Sequence, residues 1–224
     1  MSSSVFRVPA VDAENDPLNY TILSQSPVQN NIQGNFFTVN NSGVVINRRL
    51  LDRESIINHT LVLRVQDANG RTAETTLQII VTDINDNNPF FTNGAVTFSV
   101  TENVANTNIG QVSAFDRDEG NNAQISYFLN ANGFTINSQS GQIANNVPLN
   151  YENERTYFLL VEARDLGNSP RTGTTTVTIN VVDVDDNIPL FVQTLYEASV
   201  LENGPIDTQI LTIQVNKIDY YIEI

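Results

Sequence analysis

Hydrophobic residues along this chain fall in short runs that alternate with polar ones, never in a long stripe of helical spacing. Residues 5–11 set Val5, Arg7 and Pro9 against Phe6, Val8 and Ala10, which predicts an opening strand. Further strands are expected at 20–23, 36–39, 44–46, 61–65 and 75–81, with a polar loop over 25–33. Asn40-Asn-Ser-Gly43 and Asp67-Ala-Asn-Gly70 carry the small polar residues and the glycine of hairpin-type turns. Strong β-formers recur at 97–101, 110–114, 125–129, 134–136, 142–144, 156–163 and 174–182, and once more at 194–202 and 209–215. Short strands, turn signals roughly every 8–12 residues and no sustained 3.6-residue period indicate antiparallel β-sandwiches.

The same pattern occurs more than once. The oxygen-rich run Asp83-Ile-Asn-Asp-Asn-Asn-Pro89 follows the apolar Ile79-Ile-Val81, and Asp183-Val-Asp-Asp-Asn-Ile-Pro189 stands one hundred residues on. A fixed period marks an array of similar units. Other echoes keep the same order: Phe37-Thr-Val-Asn with Phe134-Thr-Ile-Asn, Gly43 with Gly141, Leu51-Asp-Arg-Glu54 with Leu149-Asn-Tyr-Glu152, and Thr101-Glu-Asn103 with Leu201-Glu-Asn203. The chain therefore divides into a shortened unit at 5–89, a complete unit at 90–189 and a truncated start of a third at 190–224. The first unit has no equivalent of 95–103, so it lacks one edge strand and that strand's glutamate. The third piece cannot bury enough surface to fold alone and is expected to fray or self-associate. In it Lys217-Ile-Asp-Tyr-Tyr-Ile-Glu-Ile224 stands where an acidic turn belongs.

The oxygen-rich runs cannot be helical, because Pro89 has no amide hydrogen and pushes Asn88 toward extended backbone. Carboxylates and carboxamides at every second or third position, with carbonyls between, suit a hard cation such as calcium. Charge sharpens this reading. The formal net charge of −14 opposes nucleic acid binding, and the acids gather at the repeat junctions. The chain holds no cysteine, so disulfides and zinc–thiolate sites are excluded. Forty per cent hydrophobic residues support packed cores. No apolar run approaches the roughly 18–20 residues of a membrane span, and Met1-Ser-Ser-Ser4 lacks the apolar core of a signal peptide. The chain is read as a piece of something larger. Asn19, Asn40 and Asn58 open glycosylation sequons, as an extracellular protein would carry.

These motifs resemble the extracellular cadherin repeats over essentially the whole chain: Leu-Asp-Arg-Glu at 51–54, Asp-x-Asn-Asp-Asn-x-Pro-x-Phe at 83–91, Asp-x-Asp-x-Gly-x-Asn-Ala at 116–123 and Ala-x-Asp-x-Gly-x-x-Pro at 163–170. The resemblance implies tandem seven-stranded Greek-key β-sandwiches joined by calcium-binding linkers. It assigns to the first junction Asp52, Glu54, Asp83, Asp86 and the Ile84 carbonyl, then Asn85 and Asn87, then Asp116, Asp118, Asn122 and Asp165. Two of that junction's ions would in the family also use the missing first-strand glutamate. The second junction would draw on Glu102, Glu152, Asp183, the Val184 carbonyl, Asp185, Asp186 and Asn187. There Asn150 replaces the family's Asp and Asp185 its usual Asn, and the acidic turn of the third unit is missing, so this site is expected to be incomplete and weak.

The function implied is a calcium-dependent cell–cell adhesion module, the ions rigidifying the linkers of a single-pass, membrane-anchored protein at the extracellular face of the plasma membrane. Its partners would be other cadherin-type ectodomains. The alternative is a calcium-stiffened spacer without adhesive contacts of its own. With no tryptophan to exchange between partners, the chain looks more like an inner repeat of a protocadherin or Fat-like cadherin than an adherens-junction tip. An enzyme is not expected: there is no cysteine nucleophile, a single histidine and no tryptophan to stack on sugar. His59, Arg48, Arg49 and Arg53 are read as solvated surface residues, and Phe91 and Phe191 as plugs at the base of the following sandwich.

Overall fold

A computed structural model describes residues 6–14, 16–26 and 36–216. It separates into two compact units, one running to Asp86 and including Arg117–Gly120, the other comprising Asn87–Asp116 and the chain from Asn121 onward. Among the described residues no helix is long and apolar enough to cross a membrane.

The first unit contains β1 (Phe6–Arg7), β2 (Asn19–Ser26), β3 (Phe37–Val39), β4 (Val44–Asn47), β5 (Asn58–Gln66) and β6 (Thr72–Ile80). They form two three-stranded sheets, β1-β4-β3 and β2-β5-β6. Phe37 and Val45 from one sheet meet Leu61 and Leu63 from the other in a buried core. Strand alternation puts these residues on the inner faces, and each buried side chain contributes about 1.5–3 kcal/mol. The second unit contains β7 (Phe90–Phe91), β8 (Val96–Thr101), β9 (Asn108–Gln111), β10 (Ala114–Phe115), β11 (Ile125–Leu129), β12 (Phe134–Ile136), β13 (Gln142–Asn145), β14 (Thr156–Asp165), β15 (Thr172–Val182), β16 (Leu190–Phe191) and β17 (Val215–Asn216). Its sheets run β12-β13-β9 and β11-β14-β15-β8, with the small pairs β7-β10 and β16-β17. Phe134 and Ile143 from the first sheet pack against Leu159, Val161, Val177 and Ile179 from the second.

The duplication extends to single contacts. Val8 donates its amide to the Gly43 carbonyl at 2.8 Å, and Val112 donates to Gly141 at 3.0 Å. Both glycines sit at positive φ, +74° and +72°, where a side chain would also meet the Val8 or Val112 carbonyl. The fourth strand distinguishes the units. β8 runs parallel to β15, from Val96 beside Val177 to Thr101 beside Val182, whereas among the described residues nothing pairs with the outer edge of β6.

Several expectations fail. His59 is not solvated: it is 3% exposed, because the alternation of β5 turns it inward with Leu61 and Leu63, and its ring lies 5.2 Å from Phe36 and 5.1 Å from Phe37. Gln25 lies in β2 rather than a loop, its side chain bonded to both backbone groups of Phe37, while the rest of that predicted loop mostly lies outside the described residues. Residues 194–202 and 209–214 are not strands. Among the described residues their β-propensity finds no ladder partner, and an unpaired strand leaves its backbone groups to water. Phe91 packs on the second core as expected, but Phe191 is exposed, pairing with Val215 in the β16-β17 pair and setting its ring edge-on to Tyr196. The run 217–224 lies outside the described residues.

Candidate metal centre

In the first unit the turn after Leu51 is built on Asp52. Its Oδ1 accepts the amides of Glu54 and Ser55, its Oδ2 accepts the Ser55 hydroxyl at 2.7 Å, and the Ser55 hydroxyl contributes most to holding this carboxyl below its usual range. That turn aims Glu54 back at the end of the β6 run, where Asp83 follows. One carboxylate oxygen each from Glu54, Asp83 and Asp118 lie within 4.8 Å of one another. Asp118 is buried, and the amide of Glu119 donates to Asp83 Oδ2 at 3.1 Å. Burial raises the pKa of Glu54, the response of an acid removed from water among other acids.

Arg53 was missed as part of this group. Its side chain is only 14% exposed, with Nε 3.7 Å from Asp83, Nη1 3.4 Å from Glu54 and Nη2 paired with Glu119. The guanidinium is drawn inward because it stands next in sequence to the acid that needs a countercharge. One positive charge against Glu54, Asp83, Asp118 and Glu119 still leaves the group strongly negative. Two carboxylates about 5 Å apart at an effective dielectric near 20 repel by roughly 3 kcal/mol.

The second unit repeats the construction with its strand complete. β8 ends at Thr101, and Glu102 follows, 1% exposed. Glu102 Oε1 accepts the Val184 amide at 2.7 Å and its Oε2 the Tyr151 amide at 2.8 Å. Oxygens of Glu102, Glu152 and Asp186 lie within 4.8 Å of one another. Asn150 keeps the turn by accepting the Asn153 amide at 2.8 Å, so the exchange of Asp for Asn preserves the backbone while removing a charge. Asn103, at φ +67°, donates to Asp186 Oδ2, and Asn187 donates to Asp186 Oδ1 at 2.9 Å. Asn103 was legible only as part of the Glu-Asn echo.

The remaining predicted residues are placed less closely. Asp165 is fully buried and closes its own loop, taking the amides of Gly167 at 2.8 Å and Arg171 at 2.7 Å. Asp116 is buried, and Asn122 ends a short 3₁₀ turn at Gly120–Asn122. Ile84, Asp86, Val184 and Asp185 are exposed, while Asn85, Asn87 and Asp183 are half-buried. Both three-acid groups offer only hard anionic oxygen, with no imidazole or thiolate. That donor chemistry fits calcium and disfavours zinc or copper.

A family model described as the cadherin domain matches residues 1–82 and 96–182. Cadherin-99C of Drosophila melanogaster is 38% identical over 206 residues, covering 91% of this chain and 12% of that protein. Protocadherin-15 of Gallus gallus is 39% identical over 216 residues, covering 94% of this chain and 11% of the other. The chain thus spans about a tenth of the length of these relatives. The crystal structure of mouse cadherin-23 EC22–24 superimposes with a TM-score of 0.78 at 30% identity, covering 94% of this chain and 68% of that one. The human desmocollin-1 ectodomain gives 0.65 at 30% identity over 95% of this chain and 42% of the other.

Proposed function

The chain belongs to the cadherin family, a family of adhesion proteins rather than enzymes, and from that premise we propose that it is a calcium-stiffened segment of an adhesion ectodomain. The observation that carries this reading is the paired acid groups, Glu54–Asp83–Asp118 and Glu102–Glu152–Asp186, each with oxygens within 4.8 Å. Cadherin domains bind calcium, and the all-oxygen donor sets fit that ion. The proposed ligands of the first site are Asp52, Glu54, Asp83, Ile84, Asn85, Asp86, Asn87, Asp116, Asp118, Asn122 and Asp165. Those of the second are Glu102, Glu152, Asp183, Val184, Asp185, Asp186 and Asn187, a poorer site for want of an acidic turn in the third piece.

Bound calcium supplies the positive charge that lets these carboxylates stay ionised side by side. The protein's own part is positional. Asp52 and Asn150 hold the turns that present Glu54 and Glu152, and Asp165 holds its loop through two amides. We assign repeat boundaries at 5–89, 90–189 and 190–224, place the parent protein at the extracellular face of the plasma membrane on a single-pass anchor, and assign other cadherin-type ectodomains as partners. Multivalent weak contacts between such ectodomains need a stiff arm to hold them in register. The second reading, a stiff spacer without adhesive contact, shares every structural feature. Beads coated with this chain separate the two: aggregation in calcium that chelator reverses supports adhesion, and dispersed beads under both conditions leave the spacer.

A further inference from the structure

The sheet β11-β14-β15-β8 closes the second core with its inner face and carries apolar side chains on its outer one. We infer that this outer face, centred on Phe158 and Leu160, is a docking surface for the same face of a second copy of this chain. The inference rests on the adhesion reading above, whose cadherin-type partner it identifies as another molecule of this protein.

The period of two in β14 buries Leu159, Val161 and Ala163 and leaves Phe158 and Leu160 outside, 73% and 64% exposed. Phe128 of β11 stands diagonal to Leu160 across the ladder and is 43% exposed. Thr178 and Thr176 of β15 lie beside Phe158 and Leu160, so hydroxyls border the apolar centre. Large apolar side chains gathered on one solvent face mark an interaction site, whereas single scattered ones do not. All four strands lie between Val96 and Val182, so the face owes nothing to either end of the chain.

The first unit shows that a sheet of this kind does not need such a face. Aligned through Asp67 and Asp165, Thr60 and Val62 of β5 take the places of Phe158 and Leu160, and Thr21 of β2 that of Phe128. Asn19 and Asn58, each opening a sequon, project from that same outer face. The second unit contains no sequon. A glycan on the first face would hold other chains away, while the second face is left bare for contact.

Charge selects the occupant. At a formal net charge of −14, two copies that meet through most of their surfaces set acid against acid, which suppresses association. Within the four strands the charged side chains are Glu162, Arg164 and the inward, buried Asp165. Glu162 and Arg164 pair at 2.6 Å, and the guanidinium lies 4.8 Å from the centre of the Phe128 ring. The outer face is therefore neutral, and two copies can close on it without repulsion. Because the same patch serves both partners, the contact is isologous and ends at a dimer. Four strands about 4.8 Å apart and some six residues of about 3.3 Å each give the face roughly 400 Å². A pair then buries about 800 Å², short of the roughly 1,200–2,000 Å² of a stable complex. The contact is weak, and it serves where many arms engage together.

The test uses the whole chain in calcium. Sedimentation equilibrium up to about millimolar concentration should show a reversible monomer–dimer equilibrium. Phe158→Thr with Leu160→Thr keeps strong β-formers in β14 and should weaken that association at least about tenfold with an unchanged melting temperature. Val62→Thr, at the corresponding place in the first unit, should leave it unaltered. Beads coated with the chain should aggregate, and beads coated with the double variant should stay dispersed. Association and aggregation equal to the parent's in the double variant would overturn this face while leaving the adhesion reading intact. A parent that stays monomeric while its beads attach only to beads bearing a different cadherin ectodomain would overturn a second copy as the occupant. A monomeric parent whose beads attach to neither would overturn both readings.

Discussion

Glu102 lies between two strand-end backbones and accepts an amide hydrogen from Val184 at 2.7 Å while its other oxygen serves Tyr151 at 2.8 Å. A buried carboxylate thereby ties the end of β8 to both the acidic turn and the linker of its own unit. Its role is structural before any ion arrives. Glu102→Gln replaces one acceptor by a donor and leaves one amide facing another. Thermal melting in excess chelator should show a loss of about 1–3 kcal/mol; an unchanged melting temperature would mean these two bonds do not hold the strand end.

Arg53 acts as a tethered cation beside Glu54, Asp83 and Glu119. Removing it by Arg53→Gln leaves the acids repelling one another, so stability in chelator should fall. The same change removes a competitor for the carboxylates, and calorimetric titration should show calcium binding a few-fold tighter. Weaker binding in that variant would show that Arg53 supports the ion site rather than competes with it.

Gly141 carries two constraints, a φ of +72° and a Cβ position 2.4 Å from the Val112 carbonyl oxygen. Gly94, at φ +61°, has nothing within 4 Å of that position. Gly94→Ala should cost only the left-handed strain, about 1–2 kcal/mol. Gly141→Ala should cost distinctly more, because the Val112 backbone must also shift. Equal losses in denaturant titrations would show that the close approach is relieved cheaply.

His59 is buried against Phe36 and Phe37, and burial holds its pKa below the ordinary 6.5. The folded state keeps the ring neutral while the unfolded chain takes up a proton as pH falls through 6.5. Its contribution to stability is therefore complete above that value and is lost on acidification, at up to about 1.4 kcal/mol per pH unit. Between about pH 7 and pH 5.5 the His59→Leu variant should lose less stability than the parent. Parallel curves would place the histidine in contact with water.

What the sequence revealed, and what it hid, follows from how each residue signals itself. The paired units were legible because Phe37, Gly43 and Leu51 return at a near-constant spacing as Phe134, Gly141 and Leu149. All six acids of the two close groups were legible because hard-cation ligands come in dense, repeated runs. His59 was misread because Asn58 and Thr60 flank it, although the period of two in β5 carries it inward with Leu61. Arg53 was misread because nothing local shows that a charge is enclosed by acids distant in sequence. Asn145 had no signal: it is one of many asparagines, yet it is 1% exposed and bonds to Val104, Val147 and Thr107. Of the strands expected at 194–202 and 209–215 only Val215 lies in one, paired with Phe191; the rest had the right propensity, but a strand exists only where a neighbour completes its ladder.

The claim on which the rest depends is that calcium among the linker carboxylates fixes one unit against the next. Spin labels at Leu23→Cys and Leu160→Cys, on exposed strand positions of the two units in a chain without native cysteine, report that distance directly by pulsed electron resonance. A narrow distance distribution in calcium that broadens in chelator is the predicted result. The same distribution in both would contradict the account.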